Sequence, residues 1–337
     1  MSDTIEGLKG YRPQENRAAD SEHQIEGEAT LNSGSNSEID PITLREFQTY
    51  LKQCKKIVAL VGAGLSVSSG LPTFRGTQGL WKNYNIIDLA TPDAFYIDPG
   101  LVWQFYSWRR SHALEAEPND GHRTLAKLAL NPNVEFTTIT QNVDGLLIRA
   151  GHPKKKLYEI HGSLFDLKCT SFMCTYVDHD NFTDPLTKEL ADSRFEHVTV
   201  FAGAGGEGDR DRPPIESPQF APIKQIPESE LPLCPLCNLL LRPGVVWFGE
   251  SLPLKLITGV DRFIEQGEKV DLILVIGTSG TVYPANSYVD RVRFKGGKVA
   301  IFNTDIELLI MAGEDRDTWG FQGDAAKLLP IALAPLL

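Results

Sequence analysis

Short apolar runs alternate with amphipathic stretches along most of this chain. The apolar runs occur at 57–61, 134–140, 271–277 and 298–303, and they are typical of strands buried on both faces of a parallel sheet. Between them, helical spacing of apolar residues is found in LVWQFYSWRR, DGHRTLAKLAL, LPLKLITGVDRFIEQ and PANSYVDRVRF. This alternation predicts an α/β fold with a doubly wound parallel sheet, in which ligands bind at the carboxyl ends of the strands.

Two helix starts are marked by an Asp–Pro pair. Aspartate is a favourable N-cap, and proline is tolerated in the first turn of a helix. The pairs Asp40–Pro41 and Asp98–Pro99 each precede a helical pattern. We therefore expect helices to begin at these two positions.

The alternation breaks down between Cys169 and Cys237. This region holds paired cysteines, few apolar runs and the stretch AGAGGEGDRDRPP, whose composition is typical of a flexible loop. It predicts a small module inserted into a larger, Rossmann-like lobe. The expected division is a large lobe of about 40–160 and 243–337, and a small zinc-binding lobe of about 161–242 with a flexible insertion at about 203–230.

Composition and charge exclude several classes of protein. The 337 residues carry a formal net charge of −11, which argues against tight nonspecific nucleic-acid binding, because that requires clustered Lys and Arg. No run approaches the ~20 apolar residues of a membrane span.

Residues 1–39 are polar without periodicity, and they are predicted to be a disordered acidic arm. Since this arm has the character of neither a signal peptide nor an Arg-rich transit peptide, a cytosolic or nuclear location is expected.

Four of the five cysteines form two close pairs. Cys169 and Cys174 have four residues between them, and Cys234 and Cys237 have two. Both spacings suit two thiolates directed at one ion, and four thiolates saturate a tetrahedral Zn²⁺. We predict one structural zinc ion, and the alternative is coincidental free cysteines. The fifth, Cys54, is interpreted as a small buried residue.

The stretch VALVGAGLSVSSGLPTFRG begins like a dinucleotide-binding turn. Gly62 and Gly64 leave room for a phosphate to approach backbone N–H groups, and Ser66 adds a hydroxyl. A dehydrogenase would have a third glycine where Val67 stands and a strand ending in an acidic residue ~20 residues later, and this sequence has neither. By itself, the pattern also fits a tight turn between a strand and a helix.

Polar side chains also follow the second predicted strand. In TITQNVDG, Gln141, Asn142 and Asp144 stand at the expected ligand edge, although Asn142 or Asp144 fits a helix N-cap equally well. In YEIHG, His161 lies just ahead of the cysteine module, at the seam between lobes where clefts form. A satisfied structural histidine is the alternative for that position.

Together, these motifs resemble those of the sirtuins, the NAD-dependent protein lysine deacylases. The similarity covers about 44–330 and runs in the order GAGLSVSSGLPTFRG, TQNVDGL, HGS, the two cysteine pairs, GVVWFGE, GTS and FNT. It implies an NAD site in which nicotinamide is cleaved off rather than reduced. It also implies that the zinc ion takes no part in the reaction.

The resemblance implies roles for individual residues. NAD would be bound by Gly62, Ala63, Gly64, Ser66, Phe74, Arg75, Gln141, Gly277, Thr278, Ser279, Asn303 and Thr304. The substrate peptide would pair with a strand edge formed by Val245, Val246, Trp247 and Phe248. The catalytic residues would be Asn142, Asp144 and His161. Asp144 would stabilise the cationic transition state as the acyl oxygen attacks the ribose, and His161 would act as general base on a ribose hydroxyl.

Tyr106 and Arg109 indicate which acyl group is removed. They are three residues apart on one helix face, and a phenol beside a guanidinium suits a carboxylate on the acyl chain. The resemblance extends to the class III branch, which prefers succinyl-, malonyl- and glutaryl-lysine and has alanines where Ala90 and Ala94 stand. The alternatives are a solvated helix arginine and an enzyme that removes acetyl groups.

The expected partners are acylated lysine peptides or proteins, with histones among the candidates. Neither nucleic acid nor membrane is expected, and the chain is expected to be a monomer. The class III branch is often mitochondrial, which the acidic arm opposes. Rival interpretations are a nicotinamide-dependent oxidoreductase, a non-catalytic zinc- and nucleotide-binding adaptor, and a minor ADP-ribosyl transfer activity.

Overall fold

The computed structural model of this chain describes residues 39–73, 80–82, 84–195, 223–278 and 287–337. The predicted acidic arm, apart from Ile39, lies outside these residues, as does most of the predicted insertion. The predicted NAD-binding residues Phe74, Arg75 and Ser279 lie outside them as well.

Eleven strands and ten α-helices occur in the described residues. The strands are β1 Lys56–Val61, β2 Leu80–Trp81, β3 Tyr84–Asn85, β4 Glu135–Thr140, β5 Leu157–Glu159, β6 Gly162–Cys169, β7 Val177–Asp178, β8 Leu241–Val245, β9 Leu272–Ile276, β10 Lys298–Asn303 and β11 Thr318–Gln322. The α-helices are α1 Pro41–Leu51, α2 Ile86–Leu89, α3 Pro92–Ile97, α4 Pro99–Glu115, α5 Asp120–Leu130, α6 Leu146–Arg149, α7 Leu254–Glu265, α8 Ser287–Phe294, α9 Leu308–Met311 and α10 Ala325–Ala332. None of these described helices is both long enough and apolar enough to cross a bilayer.

Both predicted Asp–Pro helix starts are confirmed. The Asp40 carboxylate accepts a hydrogen bond from the backbone N–H of Thr43 at 2.8 Å, and α1 begins at Pro41. The Asp98 carboxylate accepts one from the N–H of Leu101 at 2.8 Å, at the start of α4. Each aspartate satisfies an N–H group that has no partner within its own helix.

Six strands form a parallel sheet in the order β11-β10-β9-β1-β4-β5. Every neighbouring pair in it is parallel. The chain runs outward from β1 to β5 and then returns to the other side of β1 for β9, β10 and β11. The predicted doubly wound α/β fold is therefore confirmed. The reversal of winding beside β1 brings the carboxyl ends of β4, β1, β9 and β10 side by side.

Helices cover both faces of this sheet, so β1 is buried throughout. On one face, Ile57 and Val61 share a core with residues of α1, α5 and α10. On the other face, Val58 and Leu60 share a core with residues of α7 and α8. This double burial explains why the strand is a continuous apolar run rather than an alternating one.

A small antiparallel sheet, in the order β7-β6-β8, has a core of its own. Helix α4 belongs to this core, where its Tyr106 packs with Leu164 and Trp247, and its Trp103 Nε1 donates to the Leu241 carbonyl at 2.9 Å. The division expected from the sequence assigned α4 to the large lobe. The structure instead packs it against the small sheet, because its buried surface extends around most of the helix.

The last part of the predicted insertion also packs on α4. Ile223 and Ile226 lie against the small-lobe core, and the Gln104 side chain donates to the Lys224 carbonyl at 2.9 Å. The described end of the predicted insertion therefore contacts the small lobe through residues 223–226.

His152 is a buried histidine of the large lobe, with 3% of its surface exposed. Its Nδ1 lies 3.2 Å from the Pro153 carbonyl and carries the proton, because a carbonyl can only accept. Its Nε2 therefore accepts from the Thr138 hydroxyl at 2.9 Å. Burial lowers the pKa of His152 from 6.5 to about 4, although the bond to Pro153 opposes this shift. The fold thus accommodates the neutral imidazole.

We expect His152 to make the fold less stable as the pH falls from 6.5 to about 4. In that window the unfolded chain binds a proton here and the folded chain does not, so unfolding is favoured by up to about 3 kcal/mol. His152→Gln should remove this share of the difference in unfolding free energy between about pH 7.5 and about pH 4, measured by denaturant titration. An unchanged difference would contradict the assignment.

Candidate active site

The loops that follow β1, β4, β9 and β10 meet at one edge of the parallel sheet. These loops carry most of the residues that the sequence nominated for NAD binding and catalysis. They are Gly62, Ala63, Gly64 and Ser66 after β1, Gln141, Asn142 and Asp144 after β4, Gly277 and Thr278 after β9, and Asn303 and Thr304 at the end of β10. The structure thus brings together side chains that are up to 242 positions apart in the sequence, from Gly62 to Thr304.

Three glycines allow two of these loops to cross in contact. The N–H of Gly64 donates to the Gly277 carbonyl at 2.8 Å, and a Cβ atom on Gly64 would lie 2.7 Å from the Gly277 Cα. A Cβ atom on Gly62 would lie 2.7 Å from the Gly277 oxygen. Gly277 itself has a φ of +56°, which favours glycine. After the crossing, the chain forms a 3₁₀ helix at Ala63–Ser69 rather than the α-helix of a dehydrogenase turn.

Ser66, Asn142 and Asp144 form one hydrogen-bonded group. The Asn142 amide donates to the Gly62 carbonyl at 3.1 Å and to the Ser66 hydroxyl oxygen at 3.2 Å. The Ser66 hydroxyl in turn donates to Asp144 Oδ2 at 2.7 Å. Because Ser66 is only 2% exposed, these contacts fix the amide and the carboxylate relative to the glycine turn.

Asp144 also contacts the start of α6. Its Oδ1 accepts a hydrogen bond from the N–H of Leu146 at 2.9 Å. The N-cap residue of α6 is Gly145, so Asp144 does not take the N-cap position that was left open as an alternative. The carboxylate therefore binds Leu146 with one oxygen and Ser66 with the other.

His122 joins the same group and was missed by the sequence analysis. It is fully buried, and its Nδ1 accepts from the backbone N–H of Asn119 at 3.2 Å. The proton therefore lies on Nε2, which is 3.4 Å from the Ser66 oxygen. Burial lowers the pKa of His122, although the charge of Asp144 opposes this. The capping pattern of Asn119 followed by His122 three residues later was the only sequence signal for it.

His161 follows β5 and lies beside Gln141. Its Nδ1 is 3.1 Å from the Gln141 carbonyl oxygen, so Nδ1 carries the proton and Nε2 presents a lone pair. Burial lowers the pKa of His161, and the bond to Gln141 acts in the opposite direction. The imidazole is therefore oriented, and it is neutral near pH 7 and able to accept a proton.

Gln141 and Thr278 connect the loops after β4 and β9. The Thr278 hydroxyl donates to Gln141 Oε1 at 3.1 Å. The Asn303 amide donates to the Thr278 carbonyl at 3.2 Å, and Asn303 Oδ1 accepts from the N–H of Thr304 at 2.9 Å. These bonds extend the polar group across the sheet edge to β10.

Tyr106 and Arg109 lie together on α4, as their spacing predicts. Tyr106 is 1% exposed, and its hydroxyl oxygen accepts from Trp247 Nε1 at 2.9 Å. The Arg109 guanidinium carbon is 5.6 Å from the Tyr106 ring centre. Burial lowers the pKa of Arg109, while its attraction to Tyr106 and Asp144 opposes this. Arg109 is therefore half-buried, interacts with the charge of Asp144, and is not a solvated helix charge.

Residues 245–248 connect His161 to this pair. The N–H of Val246 donates to the His161 carbonyl at 2.8 Å, and the N–H of Phe248 donates to the Ala90 carbonyl at 2.9 Å. The N–H of Trp247 donates to Glu250 Oε2 at 2.8 Å. Strand β8 ends at Val245, and the next three N–H groups are used within the chain. A peptide that pairs here would therefore use the carbonyl oxygens of this segment.

Ala90 and Ala94 border the same region. Ala90 is 5% exposed and belongs to the small-lobe core, and Ala94 packs against that core. Beside them, Phe95 and Trp247 have ring centres 5.3 Å apart. The two alanines thus contribute only methyl groups at this border of the small-lobe core.

The four paired cysteines converge in the small lobe. Their Sγ atoms all lie within 4.8 Å of one another, with Cys169 and Cys237 3.4 Å apart and Cys174 and Cys234 3.7 Å apart. Four thiolates bound to a tetrahedral Zn²⁺ at about 2.3 Å would be separated by about 3.8 Å. The geometry fits a structural zinc ion with no position left for a substrate.

Comparisons with known proteins agree with this site. The sequence model of the Sir2 family matches residues 62–284. An NAD-dependent protein deacylase of Candida albicans is 69% identical over 299 residues, which is 87% of this chain and 98% of that protein. The NAD-dependent protein deacylase sirtuin-5, mitochondrial, of Canis lupus familiaris is 39% identical over 87% of this chain and 85% of its own length.

Solved structures are similar over most of the chain. A Sir2 homologue in complex with NAD has a TM-score of 0.66 and 33% identity, and the match covers 87% of this chain and 93% of that structure. A Sir2–p53 peptide–NAD⁺ complex has a TM-score of 0.62 and 26% identity, covering 86% of this chain and 97% of that structure. The location of this chain in the cell is not addressed by these similarities and stays a prediction.

Proposed function

This chain belongs to the Sir2 family and is an NAD-dependent protein deacylase, and from this premise we propose that it prefers acyl groups ending in a carboxylate, such as succinyl-, malonyl- and glutaryl-lysine. The observation that carries the proposal is the pairing of the buried Tyr106 with the half-buried Arg109. A guanidinium beside a phenol binds a carboxylate through charge-assisted hydrogen bonds. An acetyl group offers no charge to this pair.

The surroundings of the pair support an acyl pocket that ends in a positive charge. Trp247 donates to the Tyr106 oxygen, and the same tryptophan lies in the segment proposed to bind the peptide. Ala90 and Ala94 place the shortest apolar side chains at the border of this region. Because Arg109 is partly removed from water, its electrostatic attraction to a carboxylate is stronger than it would be in water.

We assign the proton transfer to His161. Its Nε2 lone pair is available because Nδ1–H is held by the Gln141 carbonyl. The imidazole would take a proton from a ribose hydroxyl of the NAD substrate, and that oxygen could then accept the acyl group. A pKa lowered by burial keeps the imidazole in its neutral, basic form near pH 7.

We assign the orientation of the sugar and the carboxamide to the group of Ser66, Asn142 and Asp144. The negative charge of Asp144 would stabilise the positive charge that develops on the ribose as nicotinamide leaves. The Ser66 hydroxyl, 2.7 Å from Asp144, holds that carboxylate in place. The buried His122 acts through Ser66 as a positioning residue.

Arg109→Met tests the acyl preference. The variant should lower kcat/KM for a succinyl-lysine peptide by about 100-fold, because removing one partner of a buried charge pair costs about 2–5 kcal/mol. The value for the same peptide carrying acetyl-lysine should change by less than about threefold. Both values can be obtained from nicotinamide release, with malonyl and glutaryl peptides as additional substrates.

Arg123→Met is a matched control, since Arg123 is an exposed arginine of α5 that pairs with Asp120. It should leave both activities near the wild-type level. Equal losses of succinyl and acetyl activity in Arg109→Met would contradict the proposal. A wild-type enzyme with the higher kcat/KM for acetyl-lysine would favour the alternative, a protein deacetylase.

A further inference from the structure

A cavity of about 400 Å³ opens on the small lobe beside the proposed peptide segment. Its charged lining comes from Lys168 of β6, Arg242 of β8 and Glu250. Val246 and Pro253 contribute apolar walls, and Ser251 contributes an exposed hydroxyl. None of these residues was assigned a role in NAD binding or in the acyl pocket, apart from Val246 in the peptide segment.

Two cations face each other in this cavity, and among the described residues only one of them, Arg242, makes a direct ion pair. Lys168 and Arg242 are direct partners in the pairing of β6 with β8, an arrangement in which like charges are destabilising. Arg242 binds both oxygens of Glu250, at 2.6 and 2.8 Å. Burial raises the pKa of Glu250, but the bonds from Arg242 and the charges of Arg242 and Lys168 lower it overall, so Lys168 acts on Glu250 only at longer range.

Lys168 is therefore the cation available for an additional anion. Within the described residues, no hydrogen bond or ion pair of its ammonium group is found at the distances that define the other pairs. The zinc thiolates do not supply the missing charge, because Lys168 and the neighbouring Cys169 are consecutive residues of β6 and point to opposite faces of the sheet. The positive charge is also opposite in sign to the net charge of −11 for the whole chain.

The cavity is connected to the reaction centre through residues 245–248. Val246 lines the cavity, and its N–H is bonded to the carbonyl of the proposed general base His161. The next residue, Trp247, is bonded through its indole to Tyr106 of the proposed acyl pocket. A peptide lying along this segment would therefore direct its acyl-lysine toward Tyr106 and a neighbouring side chain toward Lys168.

We propose that this cavity binds the carboxylate of an aspartate or glutamate that flanks the acyl-lysine of the substrate, with Lys168 as its charge partner. This inference rests on the proposed peptide segment at residues 245–248. The carboxylate would accept from the Lys168 ammonium and the Ser251 hydroxyl, while its methylene groups pack on Val246 and Pro253. The deacylase would then distinguish acylated sites by the charge of their flanking residues as well as by the acyl group.

The test compares peptides that differ at one flanking position. A succinyl-lysine peptide with otherwise neutral residues is prepared with Glu or Gln at each of the three positions on either side of the lysine. In the wild type, kcat/KM for the Glu peptide should exceed that for the Gln peptide by about fivefold at one position, as expected for a partly exposed ion pair. This ratio should fall to about 1 in Lys168→Gln, and below 1 in Lys168→Glu, where the two acids repel.

Lys327→Glu is a matched control, because it introduces the same charge change at an exposed position of α10. The Lys327→Glu variant should keep the wild-type ratio of kcat/KM for the Glu and Gln peptides. This result would distinguish binding in the cavity from long-range attraction of the peptide by the net charge of the protein. A ratio near 1 at all six positions of the wild type would overturn the inference while leaving the deacylase activity intact. An unchanged ratio in Lys168→Gln would overturn it as well. If no acyl-lysine peptide releases nicotinamide, the proposed peptide segment fails together with the inference.

Discussion

His161→Ala should lower kcat/KM for NAD-dependent deacylation by about 10³-fold while the protein remains folded. General base catalysis typically increases the rate by 10²–10⁴-fold. In the described residues, only His161 combines an oriented Nε2 lone pair with a position at the strand-end loops. The imidazole contributes one hydrogen bond, to a backbone carbonyl, so its removal leaves the packing of the core unchanged. The measurement is nicotinamide release together with a thermal unfolding curve.

His179→Ala provides the matched control for this variant. His179 is an exposed histidine near the small sheet that pairs with Asp166, and its removal should leave turnover within about twofold of the wild type. Binding of NAD by His161→Ala should also persist, because the glycine crossing and Gln141 are untouched. Turnover of His161→Ala close to that of the wild type would exclude His161 as the base.

The central strands of the parallel sheet were predictable because they are buried by helices on both faces. The run at 57–61 corresponds to β1, and the run at 298–303 matches β10. The edge strands β5 and β11 were not found. Leu157–Glu159 has only three residues, and Thr318–Gln322 contains a glycine and two half-buried positions, so neither gives the continuous apolar pattern of a central strand.

The loops of the candidate site were predictable for a related reason. In a doubly wound sheet, polar residues that directly follow apolar strands are expected at the ligand edge, and this rule found Gln141, Asn142 and Asp144. His122 could not be found in this way, because it lies in the first turn of a helix and reaches Ser66 only through the packing of α5. Its role depends on tertiary structure that no local pattern encodes.

The sequence analysis placed α4 in the large lobe because it relied on order along the chain. The segment 102–108, VWQFYSW, is buried at every position, and a helix that is buried all round belongs inside a core. That pattern was present in the sequence. What the sequence did not contain was the partner, since the aromatic residues of α4 pack against strands more than 50 positions later, such as β6 and β8.

Removal of zinc should unfold the small lobe and abolish deacylation. Structural zinc in small domains contributes about 10–16 kcal/mol of binding free energy, which is comparable to the whole stability of a typical domain. Cys234 belongs to the same core as Leu241 and Trp247, so loss of the metal should release Trp247 from Tyr106 and disorder the acyl pocket. The two cores of the parallel sheet contain no residue of the cysteine cluster and should remain folded.

Cys237→Ser and dialysis against a chelator are two independent ways to test this. Zinc content, near-ultraviolet circular dichroism and succinyl-lysine turnover should all fall together, while far-ultraviolet dichroism keeps the signal of the parallel sheet and its helices.

Cys54→Ala is the matched control, because Cys54 is buried against α1 in a core of the large lobe and lies outside the cysteine cluster. The Cys54→Ala variant should retain one zinc ion per chain. Burial raises the pKa of the Cys54 thiol to about 12, and a buried thiol of this kind is a packing residue rather than a ligand. Full activity in zinc-free protein would contradict the prediction that the four-cysteine site maintains the acyl pocket.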